Sequence, residues 1–114
     1  MSVKFDTRTV GEVLVVNIRP NFWGRIKNAE DVVEVFGKVT VTDFRKLLLC
    51  FKKVKRVDAD ALRAFATQAE GLREKGLIIK GFDYKAVKDF NTAKRLAEIF
   101  GFSEDQAAAV RNFW

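Results

Sequence analysis

The sequence predicts an α/β domain built on a mixed sheet, and three observations carry that expectation. The run Leu47, Leu48, Leu49, Cys50, Phe51 is apolar without alternation, as expected of a central strand covered on both faces. After Asp58, the residues Leu62, Phe65, Ala66, Ala69 and Leu72 recur on one helical stripe. Gly76 then ends that helix and LIIKGF makes a further strand, so strand, helix and strand form a βαβ unit with parallel pairing.

The N-terminal elements make the sheet mixed. Val3 to Arg8 and Glu12 to Ile18 read as two strands of a hairpin joined at Val10-Gly11, with Pro20 stopping the second. The segment NFWGRIKN, from Asn21 to Asn28, carries turn residues. Trp23 within it is expected to anchor the loop to the core, with contact to a partner as the alternative. AEDVVEVFGKV then predicts a short helix broken or ended at Gly37.

Beyond Gly81, the residues Val87, Phe90, Ala93, Leu96, Ala97 and Phe100 share a helical spacing that packs on the sheet. Ser103 with Gln106 three residues on has the form of a capping box and opens a last helix, SEDQAAAVRNF. The terminal Phe113 and Trp114 either dock back on the body, the favoured reading, or serve as an apolar handle for self-association or a partner. The chain shows no internal repeat, low-complexity tract or linker.

The junction LLLCFKKVKRVDADAL, Leu47 to Leu62, is the candidate site. Asp58 is expected to N-cap the helix by accepting a backbone N–H near Ala61, and Asp60 lies further into the first turn. Both carboxylates then meet the positive end of the helix dipole. Lys52, Lys53, Lys55 and Arg56 form the one dense cationic cluster of the chain, immediately before that helix.

These residues resemble the STAS domains of bacterial anti-sigma-factor antagonists and of the cytoplasmic ends of sulfate transporters. The family pattern, roughly LLLDLSGVxxIDSSGL, lies without gaps over Leu47 to Leu62, with Val54, Val57, Asp58 and Leu62 in their expected places. The opening VKFDTRTVGEVLVVNIR, the segment LREKGLIIKGF and the tail ending in LAEIFGF extend the likeness over about residues 3 to 102. The resemblance implies a single STAS-like domain over residues 1–114: a mixed four- to five-stranded sheet, helices mainly on one face, and residues 103–114 as a C-terminal helical extension.

The departures from the pattern matter as much. In phosphorylatable STAS domains the residue after this aspartate is a Ser or Thr modified by a partner kinase. Here it is Ala59, which has no hydroxyl, so no phosphoacceptor stands at the usual position. Asp60 either supplies a constant negative charge, one where a phosphate carries about 1.5 to 2, or is only a favourable first-turn residue. Ala61 stands where the family usually has Gly, and Cys50, Lys52 and Lys53 replace the usual Asp, Ser and Gly.

Composition restricts the function classes. The chain has 114 residues, 48% of them hydrophobic and 11 of them Phe, enough for one core. It has no His and a single Cys, so histidine triads and His- or multi-Cys zinc sites cannot be built. Isolated Gly71, Gly76 and Gly81 make no phosphate loop. Cys50, inside an apolar strand, is expected to pack as a small hydrophobe with a raised thiol pKa. No catalytic residue, metal ligand or cofactor is therefore expected. No run is long enough to span a bilayer and MSVKFDTRTV has no hydrophobic signal region, which makes a cytoplasmic location the expectation.

The net charge of +6 and a pI near 9.7 raise a second hypothesis, binding to phosphate backbones, but the charge is dispersed. The basic cluster reads first as an ordinary solvated loop, then as a site for an acidic protein, and last as one for nucleic acid or an anionic membrane surface. The resemblance to STAS domains implies that the face around this helix start docks a partner, with the contact set Asp58, Ala59, Asp60, Lys53, Lys55, Arg56 and Arg63 facing an acidic regulatory protein such as a kinase-type anti-sigma factor, in partner switching that regulates transcription. Alternatives are the small STAS subunit of a lipid-transport ATPase complex, which would meet the membrane only through its partners, a homodimer through Phe113 and Trp114, and, last, nucleic acid.

Overall fold

The computed structural model describes residues 3–20, 23–39 and 43–113. Strands β1 (Lys4–Val10) and β2 (Val13–Arg19) form the expected hairpin, paired antiparallel from Lys4 opposite Arg19 to Val10 opposite Val13. Its two-residue turn has positive φ at Gly11 (59°), the conformation that the right-handed twist of a tight hairpin requires. A two-residue strand, β3 (Arg25–Ile26), and helix α1 (Ala29–Val39) follow. Then come β4 (Lys46–Cys50), a second short strand β5 (Arg56–Val57), α2 (Ala59–Glu74), β6 (Ile78–Phe82), α3 (Phe90–Phe100) and α4 (Gln106–Arg111).

The main sheet has the order β1-β2-β4-β6, antiparallel at β1–β2 and parallel at β2–β4 and β4–β6. Alternation sorts its residues onto two covered faces. Leu14, Val16, Ile18, Leu47, Leu49, Phe51 and Ile79 face α1, α2 and α3. Val13, Val15, Leu48, Cys50 and Phe82 face the other way, where Ala109 and Phe113 of the C-terminal segment cover them. LLLCF fails to alternate because both of its faces are dry. Helices thus lie mainly on one face, with α4 alone on the other.

On the three-helix face, Phe51 is the hub of an aromatic cluster. Its ring centroid lies 5.3 Å from Tyr84, 5.5 Å from Phe100 and 5.6 Å from Phe65. Phe65 in turn meets Phe36 at 6.1 Å and Phe100 at 5.7 Å in edge contacts, the geometry the ring quadrupole favours. The close approach demands glycine at position 81, where an added Cβ would lie 2.8 Å from the Tyr84 hydroxyl and 2.9 Å from Phe100.

Several expectations are corrected. Helix α1 runs through Gly37 to Val39, because Val32, Val35, Phe36 and Val39 form one buried stripe. That burial outweighs the roughly 1 kcal/mol helix penalty of a glycine. Helix α3 begins at Phe90 rather than near Val87, and Phe90 is 77% exposed. With Leu96 and Phe100 turned inward, a residue six positions before Leu96 lies about 120° round the helix from it. The last helix is capped by Asp105, whose Oδ1 accepts from the Ala108 N–H at 2.8 Å, and not by Ser103. Ser103 Oγ instead accepts from the Asn112 side chain.

Gly76 does end α2, at φ 90°. The Leu77 N–H donates to the Leu72 carbonyl and the Gly76 N–H to that of Arg73, the paired bonds of a Schellman motif. Phe113 docks on the body, 7% exposed beneath the Lys80 ammonium. Trp114, Asn21 and Phe22 lie outside the described residues. Among the described residues no helix is long and apolar enough to cross a membrane.

Candidate functional site at the start of α2

The connection from β4 to α2 is built by alternate anchoring. Val54 and Val57 are buried, while Lys52, Lys53, Lys55 and Arg56 between and beside them are exposed. Two valines thereby hold four cations outward, and none of the four takes part in an ion pair among the described residues.

A loop remote in sequence braces this connection. The Gly24 carbonyl accepts from both the Lys55 and the Arg56 N–H, at 2.7 and 3.1 Å, and the Asp58 N–H donates to the Ile26 carbonyl at 3.0 Å. Strands β3 and β5 pair in parallel within this contact. Gly24 sits at φ 68°, and an added Cβ would lie 2.8 Å from Lys55 Cγ, so both conformation and space require glycine.

Asp58 occupies the N-cap position in extended conformation, with its carbonyl accepting from the Leu62 N–H. Its side chain makes no cap bond, which corrects the sequence expectation. Both carboxylate oxygens are taken by Arg25, whose Nε donates to Oδ1 at 2.9 Å and whose Nη2 donates to Oδ2 at 2.6 Å. The planar guanidinium matches the carboxylate as a fork, and a charged two-bond acceptor outcompetes a single backbone amide. The Arg25 hydrogen bonds hold the Asp58 carboxyl below the usual carboxylate range against partial burial, and the charges of Arg25, Lys27 and Arg56 add to that effect. Asp58 is thus a clamp between β3 and α2.

The residues of the first turn point outward. Ala59, Asp60 and Arg63 are exposed, and the Arg63 guanidinium donates to the Asp60 carboxylate. That pairing leaves Asp60 less of a naked negative charge than its position alone suggests. Lys53, Lys55, Arg56, Ala59, Asp60 and Arg63 therefore belong to the surface around one helix start, with Asp58 half-buried behind them.

Beside this surface lies an open cleft of about 370 Å³, lined by residues that include Lys55, Arg56, Asp58, Lys88, Asp89 and Thr92. The Lys88 N–H donates to the Lys55 carbonyl at 3.0 Å, tying the approach to α3 to the basic connection. Trp23, next to Gly24, is 73% exposed rather than part of the core. Sequence reading missed Arg25, Lys88 and this exposure. The pairs Arg25-Ile26 and Arg56-Val57 share a basic-out, apolar-in alternation, but two residues are too short a signal to read as a strand. Cys50 is as expected: 7% exposed, with burial pushing its thiol pKa up.

The mixed sheet with three helices on one face matches the fold of a protein described as a candidate anti-sigma factor antagonist, and is consistent with a STAS-like domain. Two solved structures of one protein, TM1081, have it. The NMR structure of TM1081 aligns with a TM-score of 0.69 at 17% identity, over 95% of this chain and 86% of that one. The crystal structure, described as that of a candidate anti-sigma factor antagonist from Thermotoga maritima, aligns with a TM-score of 0.68 at 16% identity, over 95% of this chain and 92% of that one. No family model matches the sequence, and no curated protein matches it either.

Proposed function

We propose that this chain is a noncatalytic interaction module that docks an acidic regulatory protein, of the kinase-type anti-sigma class, on the face around the start of α2. The observation that carries the reading is the outward set Lys53, Lys55 and Arg56, held by buried Val54 and Val57 at the helix start of an antagonist-like fold. Cations fixed on a rigid connection steer an acidic partner and quicken association. Exposed Trp23 beside them is the kind of aromatic that anchors interfaces.

Binding in this reading is constitutive. Ala59 offers no oxygen to a kinase, and Asp60, already paired with Arg63, serves as a polar contact more than as a phosphate substitute. Control then falls to the abundance of the protein in the cytoplasm rather than to modification at this position. The test is the association rate of the captured partner with Arg56→Glu at low and high salt. A rate at least about tenfold below that of the native chain at low salt, converging with it at high salt, is expected. Equal rates at low salt would remove the steering role.

A further inference from the structure

A second face carries an apolar groove that the docking role does not use. It runs along the outer side of α3, about 430 Å³ in volume, between two aromatic rings that face solvent: Phe90, 77% exposed, and Phe102, 75% exposed. Ala93 and Ala97, one helical turn apart, keep its floor low.

Both rims are fixed. At the near end the Thr92 hydroxyl donates to Asp89 Oδ2 at 2.7 Å, beside Phe90. At the far end the Tyr84 hydroxyl donates to the Gly101 carbonyl at 2.7 Å, and Asn112 donates to Ser103, which brackets Phe102. Tyr84 itself is buried, and burial raises its pKa, so the phenol stays a donor. A preformed groove loses little conformational freedom on binding.

We propose that this groove is a two-fold contact with a second copy of the same chain. The argument is its charge. On a chain of net +6, the charged groups lining the groove balance: Lys85 and Lys94 against Asp83 and Glu104. Further along the exposed side of α3, Arg95 is matched by Glu98. An isologous interface meets its own image, so a face of one sign repels itself while a balanced face can place each cation near a carboxylate. A strongly acidic partner suits the basic start of α2, whereas this balanced face offers it no net attraction. Phe113, docked against the sheet, is not available for this purpose.

Area sets the strength. Four aromatic rings exposed by about three quarters bury roughly 450–750 Å² across the pair, below the ~1,200 Å² at the low end of stable interfaces. The alanines and lysine stems must complete the contact, and the dimer is weak and concentration-dependent.

Sedimentation equilibrium of the full chain, over roughly the micromolar to millimolar range, tests this. The native chain should shift from monomer to dimer, and Phe90→Ser/Phe102→Ser, with an unchanged circular dichroism spectrum, should weaken the dimer at least about tenfold. Lys94→Glu should weaken it too. That change lowers the net charge from +6 to +4, so general repulsion alone would strengthen association, as it should in the control Arg111→Glu on α4. A native chain that stays monomeric throughout, or a dimer indifferent to the two phenylalanines or to Lys94→Glu, would overturn the proposal.

Discussion

Helices α2 and α3 both start at an aspartate in extended conformation, but the two carboxylates are satisfied over different distances. Asp89 takes the hydroxyl of Thr92, three residues on. Asp58 takes the guanidinium of Arg25, 33 residues away, and is part of a brace that includes the Gly24 carbonyl and the β3–β5 pair. The surroundings diverge in the same way. The start of α2 is flanked by Lys52, Lys53, Lys55 and Arg56, which make no ion pair among the described residues, whereas α3 exposes Phe90 in a charge-balanced setting. A helix start bound by local contacts leaves its surroundings free, while one bound by tertiary contacts has its neighbours' positions fixed, and the fixed one is the better platform for docking.

The largest expected effect separates the inner and outer sides of α3. Phe100→Ala opens the aromatic cluster and should cost about 3–5 kcal/mol, while Phe90→Ala on the same helix should stay within about 0.5 kcal/mol. Denaturant titration measures both, and comparable losses would mean that Phe90 is a packing residue after all.

The brace is next. Gly24→Ala forces an L-residue to positive φ and pushes on Lys55, a loss of about 1–3 kcal/mol. The same titration should show it, together with a slower association with the partner because the cationic connection moves. A variant as stable as the native chain would show that the loop is not pinned.

A smaller effect comes from pH. The folded pKa of Asp58 is lowered by Arg25, and that of Asp89 is lowered by the Thr92 hydroxyl and by nearby backbone amides. Each contribution is therefore complete above the unfolded aspartate value of about 4 and fades as pH falls through the lower folded value. At neutral pH Arg25→Ala should melt below the native chain, and the gap should close in acid as Asp58 is protonated. Thr92→Ala should show the same closure with a smaller gap, since it removes one neutral donor in place of a charged fork. A gap for Arg25→Ala that stays constant into acid would contradict the clamp.

What could be read in the sequence follows the same division between local and tertiary. Strands β4 and β6, helix α2 and its Gly76 stop were legible because apolar spacing and a left-handed glycine are local signals. So was the cationic cluster Lys52, Lys53, Lys55 and Arg56 before the helix, though not its anchoring by buried Val54 and Val57. The STAS-like order of elements was legible too, even though no family model matches. Arg25 as the partner of Asp58 was not, because a bond across 33 residues leaves no trace in spacing. Gly37 misled because burial of Phe36 and Val39 overrode its propensity. Phe90 and Trp23 misled because an aromatic residue is usually core, and only the helix phase and the turn at Gly24 place them outside.

The central claim is that the basic connection before α2 is the docking surface, and paired capture from native lysate after nuclease treatment tests it most directly. The native chain and a Lys55→Glu/Arg56→Glu variant would serve as bait, with the bound proteins quantified by mass spectrometry. An acidic kinase-type regulator, recovered by the native chain and reduced at least about tenfold with the variant, is the predicted result. Equal recovery by both baits, or recovery only of material that nuclease removes, would contradict it.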